Sequence, residues 1–124
     1  MVRAVRGATT ANENEVEEIL NSTEELLKEL MDKNDILQED LIDIVFTVTS
    51  DLTKVFPARA ARNLGFTDIP LLDMAAPDIE GSLPMCIRAI IHFNTDMTNA
   101  DTHHVYLRGA RVLRPDIVEE EDGE

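Results

Sequence analysis

Residues 84–93 read PMCIRAIIHF, and no other stretch restricts the possible folds as much. The run has the length and apolar character of a buried strand, yet Arg88 sits in its middle. Burying an unpaired cation costs on the order of several kcal/mol, so either a partner in the protein faces it or an anionic ligand is meant to arrive. Alternation along a strand puts Met85, Ile87, Ala89, Ile91 and Phe93 on one face and Cys86, Arg88, Ile90 and His92 on the other. The first set suits a core covered by helices. The second is mixed, as at a subunit interface or a ligand cleft, and it predicts a homo-oligomer with Arg88 near the seam.

The remaining elements follow from periodicity and breakers. Residues 2–7 predict a first strand ending at Gly7, with Thr9, Thr10 and Asn12 offering oxygens to cap a helix. From 13 to 33, apolar residues at 16, 19, 20, 27, 30 and 31 mark one face of a helix, and Glu13, Glu17, Glu18, Glu24, Glu25 and Glu29 take the other. A turn at 38–40 leads into a second strand, LIDIVFTVTS, over 41–50. Pro57 near its start and Gly65 at its end delimit a shorter helix over 56–65, with Arg59 and Arg62 on one face. A third strand over 69–74, the quoted fourth strand and a fifth over 105–113, bulged at Gly109, complete the order. Pro115 stops the fifth strand. The expectation is an α/β (α+β) domain over 1–116, with a mixed sheet of five strands under two helices and an acidic tail over 117–124.

Charge and composition then exclude function classes. The 124 residues are 44% hydrophobic, enough for one core, and carry a formal charge of −14. That balance lacks the basic stripe that nucleic acid or an anionic membrane demands. No apolar run matches a membrane span or a cleavable leader, so the expected location is cytoplasmic. The single cysteine, Cys86, fits a reducing compartment and reads as an inert buried thiol. His103 and His104 are adjacent and face opposite ways on a strand, so they do not chelate one metal ion together. Neither a phosphate-binding glycine loop nor a metalloprotease motif is present.

Arginine remains. Of the 11 basic residues, Arg3, Arg6, Arg59, Arg62, Arg88, Arg108, Arg111 and Arg114 carry a guanidinium, the group suited to bidentate binding of carboxylates. Each taken singly reads as a surface ion pair with one of the many acids. Several converging on one cleft would instead hold a small polyanion and stabilise developing negative charge with fixed positive groups. Tyr106 taken alone reads as a core or interface ring with its hydroxyl satisfied.

Five short stretches in register resemble the AroH-class chorismate mutases: Arg6-Gly7-Ala8-Thr9-Thr10, Val55-Phe56-Pro57-Ala58-Arg59-Ala60, Cys86-Ile87-Arg88, His104-Val105-Tyr106-Leu107 and Val112-Leu113-Arg114-Pro115-Asp116. The resemblance implies a homotrimeric pseudo-α/β barrel with an active site at each cleft between subunits. It implies the Claisen rearrangement of chorismate to prephenate, on the way to phenylalanine and tyrosine, without cofactor or covalent intermediate. By the same resemblance Arg88 is the catalytic cation at the breaking ether bond, Arg6 binds that oxygen and a carboxylate, and Tyr106 binds a carboxylate. Phe56, Ala58, Arg59 and Arg62 come from the neighbouring subunit, with Leu72, Asp73 and Met74 on the third strand. Leu113 and Arg114 border the entrance.

One stretch departs from the family pattern. In Leu71-Leu72-Asp73-Met74-Ala75-Ala76, Asp73 and Ala76 stand where the family has a cysteine and, three residues on, a substrate-binding glutamate. The expectation is that Asp73 replaces that glutamate, accepting from the substrate hydroxyl and pairing Arg88; the bland alternative is an Asp that only caps the following loop. Two other functional readings exist. One is a silent oligomeric domain of the same fold that binds a small carboxylate. The other is an acidic adaptor built on 13–33, which requires that helix to expose its apolar stripe.

Overall fold

The structure, a computed structural model, describes residues 1–114. Five strands form one mixed sheet in the order β3-β2-β4-β1-β5. They are β1 (Val2–Thr10), β2 (Leu41–Val48), β3 (Leu71–Ala75), β4 (Cys86–Asn94) and β5 (Val105–Tyr106), joined by helices α1 (Val16–Lys33) and α2 (Ala58–Asn63). β4 is central, antiparallel to both β1 and β2, while β3 and β5 add in parallel at the two edges. The expected architecture and element order are present. The acidic tail over 117–124 and the stop at Pro115 lie outside the described residues.

The alternation on β4 settles which face is covered. Ile87, Ala89, Ile91 and Phe93 are buried, and the last three join Val5, Ile44 and Phe46 in the core under the helices. From α1, Ile19, Leu26, Leu27 and Leu30 are fully buried. Each such side chain contributes about 1.5–3 kcal/mol on burial. The stripe sits slightly round from the predicted one, including Leu26 and leaving Val16 exposed. The adaptor reading fails here, because the stripe it needs to present is already packed on the sheet.

Three boundaries differ from expectation for local physical reasons. β1 continues through Gly7 to Thr10 because β4 supplies partners all the way, from Val2↔Asn94 to Thr10↔Cys86. Thr9 and Thr10 are thus ladder residues, and α1 starts later behind Glu15, with no side-chain cap. The fifth strand is only Val105–Tyr106, paired at Gly7↔Val105 and Ala8↔Tyr106. Arg108 then adopts φ 52, and residues Arg108–Leu113 wind into a 3₁₀ turn instead of a bulged strand.

α2 is confined to Ala58–Asn63, with Pro57 at its N-cap and Gly65 beyond it at φ 94, the left-handed backbone that favours glycine. Asn34, buried at the end of α1, was invisible in the sequence. It donates to Leu30 O and His103 O and accepts from His103 N, tying the helix to the segment entering β5. No helix among the described residues is long and apolar enough to cross a membrane.

Candidate active site

The sheet face turned away from the helices carries the predicted arginines. Cross-strand pairing places Arg6, Ile90, Val45 and Leu72 in one row, and Ala8, Arg88, Thr47 and Met74 in the next. Paired residues share a face, so Arg6, Arg88, Leu72 and Met74 all point to the open side. Tyr106 joins them through its pairing with Ala8. Arg6, Val45, Thr47, Arg88 and Ile90 line a hollow of about 200 Å³. Val45 and Thr47 were missed in the sequence, although alternation along LIDIVFTVTS carries the signal.

Among the described residues neither Arg6 nor Arg88 has an ion-pair partner. Arg88 makes a side-chain hydrogen bond with Cys86, whose thiol is pushed up in pKa by burial and pulled down less by Arg88. Tyr106 is buried beside Ala8, Cys86 and Ala110, and among the described residues its Oη has no partner. A buried hydroxyl without a partner is costly, and here it lies on the same face as two unpaired cations. Leu113 packs against this cluster. Arg114 is exposed at the end of the 3₁₀ turn, with a partner of its own.

His104, which lies just before β5 and not on a strand, is a supporting residue. Its Nδ1 accepts from Arg6 N at 3.1 Å, which requires the neutral imidazole. Burial lowers its pKa, and the charges of Arg6, Arg114 and His103 lower it further. The ring therefore helps hold the backbone that presents Arg6.

The other predicted residues gather at the β3 edge. Phe56 is 68% exposed, and with Val55, Pro57, Arg59 and Arg62 it lines a hollow of about 700 Å³. Leu72 and Met74 are 55% and 51% exposed on β3. Ala58, which the resemblance places among the residues from the neighbouring subunit, is only 2% exposed and packs into the core. β3 lies two strands from β4 and four from β5. At roughly 4.8 Å per strand, the Phe56–Arg62 group and Tyr106 are on opposite sides of one chain.

Asp73 needs a correction. Its row partner is Phe46, which faces the core, so the carboxylate points to the helix side while Arg88 points to the open side. Within one chain Asp73 does not pair Arg88. It accepts from Ala58 N at 2.9 Å, at the start of α2, and burial raises its pKa against the opposing pull of Ala58 N–H and Arg62. Only the pairing within one chain is excluded, because a face is assigned by register with β2, which the loop sequence does not encode.

The chain is similar to known chorismate mutases over most of its length. The family model described as chorismate mutase type I matches residues 2–117. A chorismate mutase AroH of Thermus thermophilus is 46% identical over 118 residues, covering 94% of this chain and 97% of that protein. The Bacillus subtilis (strain 168) chorismate mutase AroH is 40% identical over 118 residues, with 94% and 93% covered. A solved chorismate mutase from Clostridium thermocellum superposes with a TM-score of 0.87 at 50% identity, over 89% of this chain and 98% of that one. With the family model matched over residues 2–117, this chain, whose sheet turns Arg6, Arg88 and Tyr106 to one open face, belongs to the chorismate mutase type I family.

Proposed function

We propose that this chorismate mutase converts chorismate to prephenate in a cleft between two copies of the chain. The observation that carries the reading is the separation of the two half-sites. Arg6, Arg88 and Tyr106 share the open face on one side, where no acid among the described residues pairs either arginine, and Phe56, Arg59 and Arg62 lie at the β3 edge on the other. A head-to-tail contact between copies brings such halves together, and a ring of three closes it. The family match ends at residue 117, which supports one domain over 1–116 and a separate tail over 117–124. An unpaired cysteine is in keeping with a cytoplasmic setting.

The rearrangement is intramolecular: the ether C–O bond breaks, a C–C bond forms, and no atom is gained or lost. Negative charge collects on the ether oxygen as the bond opens. Arg88 donates there, Arg6 binds the same oxygen and a carboxylate, and Tyr106 Oη donates to a carboxylate. From the neighbour, Phe56, Leu72 and Met74 wall the ring, while Arg59 and Arg62 attract the dianion. Ala58 contributes by seating the start of α2 rather than by contact. Leu113 and Arg114 border the entrance. Fixed donors aimed at the developing charge, together with a bound reactive conformation, lower the barrier without proton transfer.

Asp73 takes the place of the family's glutamate across the seam, accepting from the substrate hydroxyl of the adjoining site. Its linkage has a definite sign. A carboxyl whose pKa is raised by folding adds stability at low pH, and that contribution is lost as pH rises through the raised value. Asp73→Asn keeps an acceptor for Ala58 N and removes the charge, so the urea midpoint at pH 7 should hold or rise. Turnover of chorismate should fall about tenfold, because a neutral oxygen is the weaker acceptor. In the wild type the rate should be flat from about pH 6 to 9, since arginine stays charged and the rearrangement transfers no proton. Unchanged turnover in Asp73→Asn would leave the residue only its role at α2.

The direct test is the loss of chorismate absorbance with purified protein and no additive. Absence of turnover, with chorismate still bound, would favour the silent carboxylate-binding domain, for which the Ala76 replacement is the motive. A mixing experiment tests the shared site. Arg88→Ala and the double variant Arg59→Glu/Arg62→Glu each spoil a different half, so an equimolar mixture allowed to exchange subunits should regain about one quarter of wild-type activity, as two independent halves require. Native mass spectrometry confirms that hybrids formed; hybrids without recovery would place the site within one chain.

A further inference from the structure

The start of the 3₁₀ turn over Arg108–Leu113 is clamped to α1 by the side chain of Arg108. Arg108 Nη1 donates to Glu18 Oε1 at 2.9 Å and to Ser22 Oγ at 2.8 Å, and its Nε donates to Glu25 Oε1 at 3.2 Å. All three acceptors lie on α1, and Ser22 is fully buried. Glu18 Oε1 also accepts from Asn12 N at 3.0 Å, so one carboxylate ties the loop after β1 to the turn after β5. Its pKa is lowered, first by the Asn12 N–H and then by Arg108, against the opposing effect of burial.

The backbone at Arg108 adopts φ 52, a conformation that side chains other than glycine's adopt only when the surroundings over-determine it. Here the three hydrogen bonds from a charged fork do so. Gly109 N then donates to Thr10 Oγ1 at 3.0 Å, and a Cβ on Gly109 would lie 3.0 Å from that oxygen. The turn is thus pinned at its start to α1 and β1. Further along, Ala110 and Leu113 pack on Tyr106 and Cys86. The direction in which the chain leaves Arg108 decides where Ala110 and Leu113 meet the cluster that holds the tyrosine.

We infer that Arg108, through its clamp on Glu18, Ser22 and Glu25, is a positioning residue that sets how tightly the Tyr106 side of the site holds its substrate. The inference rests on the functional reading above. Arg108 lies on the helix side of the turn and touches no reacting atom, so its effect falls on binding rather than on the chemical step. This role is separable from ordinary stabilisation. Exposed ion pairs add little to stability, so the clamp's removal should appear in KM far more than in the unfolding midpoint.

The test uses Arg108→Gly in the full chain, because glycine accepts the left-handed backbone and only the clamp is lost. KM for chorismate should rise about five- to tenfold with kcat within about twofold of wild type. Arg108→Lys should recover part of that loss, since a point charge meets one acid but cannot fork onto three acceptors. Combining Arg108→Gly with Glu18→Gln should give no further rise in KM, as expected when both act through one contact. An unchanged KM in Arg108→Gly, or a loss confined to kcat or to the unfolding midpoint, would overturn the inference. Should Arg108→Gly fail to fold, Glu25→Gln and Glu18→Gln carry the same expectation from the helix side, and a wild-type KM in both would refute it. An inactive wild-type protein would instead sink the functional reading.

Discussion

Arg88→Ala should lower kcat for chorismate by at least about 10²- to 10³-fold, the loss seen when one preorganised donor to a developing oxyanion is removed, equivalent to about 3–4 kcal/mol. Arg88→Lys should be nearly as damaging, because an ammonium cannot reproduce the planar donor geometry. The fold should survive both changes. Among the described residues Arg88 has no acidic partner, so its truncation strands no buried carboxylate, and the unfolding midpoint should stay near that of the wild type. Steady-state kinetics together with urea unfolding separate the two effects. A kcat within tenfold of wild type in Arg88→Ala would remove the central cation from the mechanism.

Gly7→Ala should be the most damaging change to the fold relative to its size. A Cβ at this position would lie 2.6 Å from Val105 O and 2.9 Å from Leu26 Cδ1. The first neighbour is backbone on the strand paired with Gly7, so it moves only by loosening the contact between β1 and β5. Overpacking of this kind costs about 1–3 kcal/mol, and the rigid neighbour places this case at the upper end. Activity should fall as well, because Arg6 precedes the clash and Tyr106 follows Val105 on the displaced strand. Urea unfolding at fixed protein concentration checks the first effect, and kcat/KM the second. A wild-type midpoint would mean that the two strands are not packed as closely as described.

Much of the fold was legible because its signals are local. A period of two on PMCIRAIIHF and a period near four on residues 16–31 identify a strand and a helix without knowledge of what they touch. The same alternation put Arg88 on the uncovered face, and the structure agrees: Ile87, Ala89, Ile91 and Phe93 are buried behind it. Five motifs in register carried the family, and the relatives bear it out over residues 2–117. Strand ends were less legible. β1 runs past Gly7 because β4 offers partners, and the fifth strand is cut short where Arg108 turns the chain toward α1.

Asp73 shows where local reasoning stops. Its position in the chain admits an Asp that pairs Arg88 or one that caps the following loop, and residue type does not show that its carboxylate instead accepts from Ala58 N at the start of α2. The choice is made by register with β2, where Phe46↔Asp73 and Thr47↔Arg88 fall in adjacent rows and so on opposite faces. Helix, strand and buried face are therefore properties of this sequence read a few residues at a time, since they follow from side-chain spacing along one element. Which distant side chains meet depends on pairing between elements far apart in the chain, and a shift of one residue in that pairing would exchange the two faces.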